Sequence, residues 1–71
     1  MIPFNNRLRD ILYNRNITIL QFCEDTGIDR INFFYRRENR KRSRYVYMGI
    51  AYYLGMTLEE LIKGTDMEDR I

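Results

Sequence analysis

Seventy-one residues make one small domain, which buries only roughly 60% of the surface that its unfolded chain exposes, and they exclude a second domain. With 12 basic and 10 acidic residues, 45% hydrophobic and 14% aromatic content, the composition is that of a folding chain and not of a disordered one. Histidine is absent and cysteine occurs once, which excludes Ser-His-Asp and Cys-His catalysis, His-based zinc sites and an internal disulfide.

Apolar residues at Phe4, Leu8, Ile11 and Leu12 follow the helical template, predicting a first helix to about residue 14 with Asn5 or Asn6 as its cap. Pro3 precedes it, where it breaks nothing. Thr18 followed by Gln21 is a capping-box pattern, so a second helix is expected over 19 to about 26, with Leu20, Phe22 and Cys23 inward. Gly27 ends that helix by taking the left-handed conformation. Asp29 caps a third, over 30 to about 37. Two helices joined by so short a turn cross steeply, and the pair at about 18–37 reads as a helix-turn-helix. Ser43 caps a fourth helix through Val46, Tyr47, Ile50, Ala51 and Leu54. Thr57 with Glu60 opens a short fifth one in "TLEELIKG", and the tail 65–71 is expected to fray. No strand pattern and no repeat stand out. The fold class is therefore all-α, one compact bundle of five helices in a single domain, 1–71.

Charge is unevenly spread along this chain. Between Arg30 and Arg44 stand seven basic residues and one acid, Glu38, a local charge of +6 that leaves −4 for the rest of a chain whose net charge is +2. Such a separation steers polyanions toward one side, and clustered arginine commonly serves nucleic acid. The longest apolar stretch, residues 46–56, is far too short for a membrane span and reads as core or interface. Nothing at the N-terminus resembles a secretory leader, so the cytoplasm is the expected compartment. Glu59 and Glu60 have no carboxylate partner at a catalytic spacing, no glycine-rich phosphate loop occurs, and Cys23 reads as a buried structural thiol. An enzyme is the least supported class, and no cofactor is expected.

In order, "RLRDIL", "ITILQFCEDTGI", "DRINFFYRREN" and "AYYLGMTLEELIKGTD" resemble the Cro/cI-type (XRE-like) helix-turn-helix family of phage and bacterial repressors, over residues 4–66 without gaps. The most specific parts of the resemblance are Thr18, Gly27 and Ile28 at the motif spacing, and "LGMTLEELIKG". It implies a third helix seated in the major groove of double-stranded DNA, with Arg30, Ile31, Asn32 and Tyr35 facing bases and Phe33 in the core. Phe34 is expected to be exposed beside Tyr35, able to pack with Ile31 on thymine methyl groups. Thr18, Arg37, Arg40, Lys41, Arg42 and Arg44 fall where the family contacts phosphates. Four positions depart from the family pattern. Ile19 replaces a glutamine that bonds phosphate, Leu12 and Arg37 replace an ion pair, and Arg36 stands where an apolar side chain is common.

Two functions follow. The first is a small sequence-specific transcriptional regulator, a phage or mobile-element repressor in kind, acting as a homodimer on two half-sites. The alternative is a repressor-fold protein that binds another regulator, antirepressor-like, through an exposed apolar face of the third helix made of Ile31, Phe34 and Tyr35. At helical spacing Tyr45, Tyr52 and Tyr53 cannot all point inward with Val46, Ile50 and Leu54, so aromatic surface is expected on the fourth helix as well.

Overall fold

In the computed structural model, which describes residues 1–35 and 42–70, the chain forms α1 (Phe4–Asn14), α2 (Ile19–Thr26), a π-helical turn (Ile31–Tyr35), α3 (Arg44–Leu54) and α4 (Leu58–Ile62). Among the described residues there is no strand, only an isolated parallel bridge between Ile2 and Thr65. The all-α expectation holds. The radius of gyration is 11.3 Å, close to the roughly 11 Å of a folded chain of this length.

The core is built on one line of aromatic rings. Tyr47 meets Phe4 at 4.8 Å, Phe4 meets Phe33 at 6.5 Å, Phe33 meets Phe34 at 5.0 Å, Phe34 meets Phe22 at 6.2 Å, and Phe22 meets Tyr53 at 5.6 Å. The line starts and ends on α3 and passes through α1, the π-helical turn and α2, so each of these elements is held by edge-on or tilted ring contacts of about 0.5 to 1.5 kcal/mol beyond area burial. Leu8, Leu12, Ile50, Leu54 and Leu61 fill the space around it.

Helix ends are satisfied partly by arginines from elsewhere in the chain. Arg7 on α1 donates from Nε to the Leu61 carbonyl at 2.8 Å and from Nη2 to the Glu60 carbonyl at 2.6 Å, while Arg15 donates from Nη1 to the Leu54 carbonyl at the end of α3. A cation on the last carbonyls also meets the negative end of the helix dipole. Thr57 and Glu60 form the expected capping box at α4.

Several local expectations are corrected. α1 begins at Phe4, with Pro3 at its cap position, and the Phe4 N–H donates to Asp66 Oδ1 at 3.0 Å. Asn5 is drawn off to the π-helical turn instead of capping its own helix. At α2 the Thr18 hydroxyl oxygen accepts the Gln21 N–H at 3.0 Å, but the Gln21 side chain turns forward to Asp25 and the reciprocal bond is not made. Leu20 is exposed, because Ile19, Phe22 and Cys23 already form the inward stripe of a two-turn helix. Ser43 occupies the cap position of α3 without a side-chain bond. The segment Thr65 to Arg70 is tied to the N-terminal strip: Ile2 donates to the Gly64 carbonyl, Asp66 donates to the Ile2 carbonyl, and Thr65 is fully buried.

Candidate nucleic-acid interface

The region between α2 and the π-helical turn is shaped by two residues. Gly27, with φ 74°, closes α2 in the left-handed conformation, and its N–H donates to the Cys23 carbonyl at 2.9 Å. Two residues further on, Asp29 Oδ1 accepts the N–H groups of Ile31 at 2.9 Å and Asn32 at 3.3 Å. This is the work of a cap residue, and it starts the next helical segment at once.

The segment then widens into a π-helical turn, a geometry that is rare and concentrated at functional sites. Its i to i+5 bonding puts more residues in each turn, so consecutive side chains lie closer together around the axis. Phe33 and Phe34 share the inner side and are both buried. Phe34 is not the exposed residue that the sequence suggests and cannot contact a base or form a protein-docking face. Its ring packs on Phe22 and Phe33, and the two adjacent phenylalanines share one buried side just as Phe22 and Cys23 do on α2.

The outer side carries Arg30, Ile31, Asn32 and Tyr35, all exposed, with Ile31 at 61% and Tyr35 at 59%. Asn32 donates one amide N–H to Asp29 Oδ2 at 3.0 Å. Its carbonyl oxygen and second N–H remain for a partner, which is the pair that a two-bond contact with adenine requires. Arg9, on α1, stands over both aromatic rings at this end, 5.5 Å from the Phe34 centroid and 5.6 Å from that of Tyr35. Nothing in the sequence spacing ties residue 9 to residue 35. The only signal for Arg9 is its place on the polar side of the first helix, and it joins this surface because α1 crosses beneath the turn.

The Phe33 carbonyl fixes the turn from below. It accepts Asn5 Nδ2 at 2.9 Å and Arg42 Nη2 at 2.7 Å. The Arg42 guanidinium also lies 3.8 Å from the Phe33 ring centroid, a cation–π contact. Arg42, expected on phosphate, is half-buried and engaged within the chain. Arg44 is exposed but lies toward α4, lining a shallow groove with Thr57, Glu60, Lys63 and Glu68. Thr18 is exposed at the start of α2 and lines another groove with Arg9, Tyr13 and Ile19. Arg37, Arg40 and Lys41 lie outside the described residues.

Two side chains nearby have altered acidity. Burial pushes the Cys23 thiol up, which keeps it protonated and unreactive. The Tyr53 hydroxyl is raised by its 2.6 Å bond to Asp25 Oδ2, a link between α2 and α3. Among the described residues, no group of three or more His, Cys, Asp or Glu side chains lies together as a metal site would need, and no helix is long and apolar enough to cross a membrane.

Compared with family models, with curated proteins and with solved structures, the chain matches none.

Proposed function

We propose that the protein is a small cytoplasmic DNA-binding regulator of the Cro/cI-type helix-turn-helix kind, which inserts the segment from Arg30 to Tyr35 into the major groove and occludes a promoter. The observation that carries this reading is the outward row of Arg30, Ile31, Asn32 and Tyr35 on a segment held from beneath by Phe33, Phe34 and the doubly bonded Phe33 carbonyl. A groove reader needs donors and acceptors on a rigid support. Arginine suits guanine, the Asn32 amide suits adenine, and Ile31 suits a thymine methyl group. Arg9 adds a cation at the edge of the same surface, and the sequence run Arg36, Arg37, Arg40 and Lys41 supplies further charge for phosphates.

Fluorescence anisotropy with random-sequence duplex DNA at several salt concentrations tests the reading. Several phosphate contacts make affinity fall steeply as salt rises. No binding even at low salt would sink the proposal.

One observation favours a second reading, in which the same row grips another regulatory protein. Ile31 and Tyr35 are more than half exposed while Arg9 stacks at their edge, and aromatic surface rimmed by arginine is also the make-up of a protein hot spot. Binding through such a row would change little with salt.

A further inference from the structure

We propose that α3 is the interface of a symmetric dimer, its exposed stripe packed against the same stripe of a second copy running antiparallel. The proposal stands independently of DNA binding.

α3 buries Tyr47, Ile50, Ala51 and Leu54 on one side. On the other it presents Tyr45 at 80% exposure, Met48 at 44%, Gly49, and Tyr52 at 89%. Positions 45, 48, 49 and 52 follow the i, i+3, i+4, i+7 spacing, so they form one continuous stripe, and it carries no charge. Isolated exposed tyrosines call for no explanation; two of them framing a methionine and a glycine on one helix face are a different matter.

Gly49 is the informative residue. It sits mid-helix without the positive φ that favours glycine, and a Cβ added there would meet nothing within 4 Å. Neither the backbone nor any neighbour in the chain requires glycine, although glycine weakens a helix interior relative to alanine. A close approach from outside gives it a role, because a missing side chain lets two helix backbones come near each other.

The order of the stripe identifies the visitor. Tyr-x-x-Met-Gly-x-x-Tyr reads alike in residue size about the midpoint between Met48 and Gly49 only at its ends, where tyrosine answers tyrosine. Under a two-fold axis through that midpoint, Tyr45 of one copy lies level with Tyr52 of the other, and the two Met48–Gly49 pairs meet at the centre. The glycines allow the approach and the methionines fill the space beside them. Ring against ring at the ends, and the Met48 side chain against the gap left at Gly49 in the centre, give the fit that an interface between identical surfaces needs. Tyr45, Gly49 and Tyr52 of the stripe themselves line a shallow groove of about 600 Å³, whose other wall is Ile28 and Tyr53 with Asp25 and Thr26 at its polar side, and the opposing rings enter there.

At about 150 to 250 Å² for each of four tyrosines, the rings of the two copies bury roughly 600 to 1,000 Å² in total, below the ~1,200 Å² of a stable specific interface and in the range of weak, transient ones. The dimer is therefore a weak one that forms with rising concentration.

Sedimentation velocity of the full chain, without DNA, from about 10 μM to about 1 mM tests this. The mean mass is expected to rise toward twice that of the chain. Tyr52→Ser, at an exposed position, should keep the helical circular dichroism and stay monomeric throughout. Gly49→Ala gives the sharper result: its thermal midpoint, read at a concentration where the monomer dominates, should rise by roughly 2 to 8 °C, while dimerisation weakens about tenfold or more. A mass that stays monomeric at the highest concentration would overturn the proposal. So would a dimer indifferent to both substitutions.

Discussion

Two faces of the domain expose tyrosine, and they differ in what stands beside it. At the π-helical turn, Tyr35 lies against the Arg9 guanidinium and shares its surface with Arg30 and Asn32. On α3, Tyr45 and Tyr52 frame Met48 and Gly49, with no charged side chain inside the stripe. The same aromatic group therefore suits different partners according to its neighbours. Interleaved with arginine it fits a polyanion whose bases offer hydrogen-bonding edges; in a neutral, self-matching row it fits its own copy.

The largest expected effect separates what lies under the first face from what lies on it. Phe34→Ala should cost about 3 to 5 kcal/mol in urea unfolding, as for a core phenylalanine, whereas an exposed position would lose less than about 0.5 kcal/mol. Next come the outward residues. Once a preferred duplex has been selected, Arg30→Ala and Asn32→Ala should each remove about 1 to 3 kcal/mol of discrimination at one base pair, measured by competition with base-substituted duplexes, while neither changes the dimerisation of α3. Arg42→Ala and Arg44→Ala should then part company. The first loses a bond to a buried carbonyl and a cation–π contact, about 1 to 2 kcal/mol of stability; the second leaves stability within about 0.5 kcal/mol. Both are read from the same denaturation series.

The smallest effect concerns pH. Because its bond to Asp25 raises the Tyr53 pKa above the ordinary phenol value of about 10, the folded state favours the protonated hydroxyl. That contribution is fully present below about pH 10 and is lost as pH rises through the raised value. Tyr53→Phe should flatten the alkaline fall in thermal midpoint, and an unchanged fall would place its origin elsewhere.

Much of the fold was legible because its elements announce themselves locally. Gly27, Asp29, Thr57 and Gly55 act where turn and cap chemistry predicts, and the apolar spacing of Phe4, Leu8 and Leu12 marks the buried side of α1. Other features depend on partners distant in sequence. Asp66 took over the start of α1, Asn5 was drawn to Phe33, and the stem of Arg42 was turned inward by a ring nine residues earlier. Phe34 is of the same kind, since the ring of Phe22, twelve residues earlier, covers it and no local pattern marks that contact. Of the surface row, the exposure of Arg30, Ile31, Asn32 and Tyr35 agrees with what the family resemblance implies. Arg9 was not legible, because only the crossing of α1 brings it there.

The carbonyl of Phe33, with one donor from Asn5 and another from Arg42, also bears on the thermodynamics of association. A segment anchored on both sides has little freedom left to lose when a ligand arrives, so its affinity reflects preorganisation more than contact area. In calorimetry, the heat-capacity change contributed by this segment should then scale with the apolar surface it covers, without the larger signature of a peptide that folds as it binds.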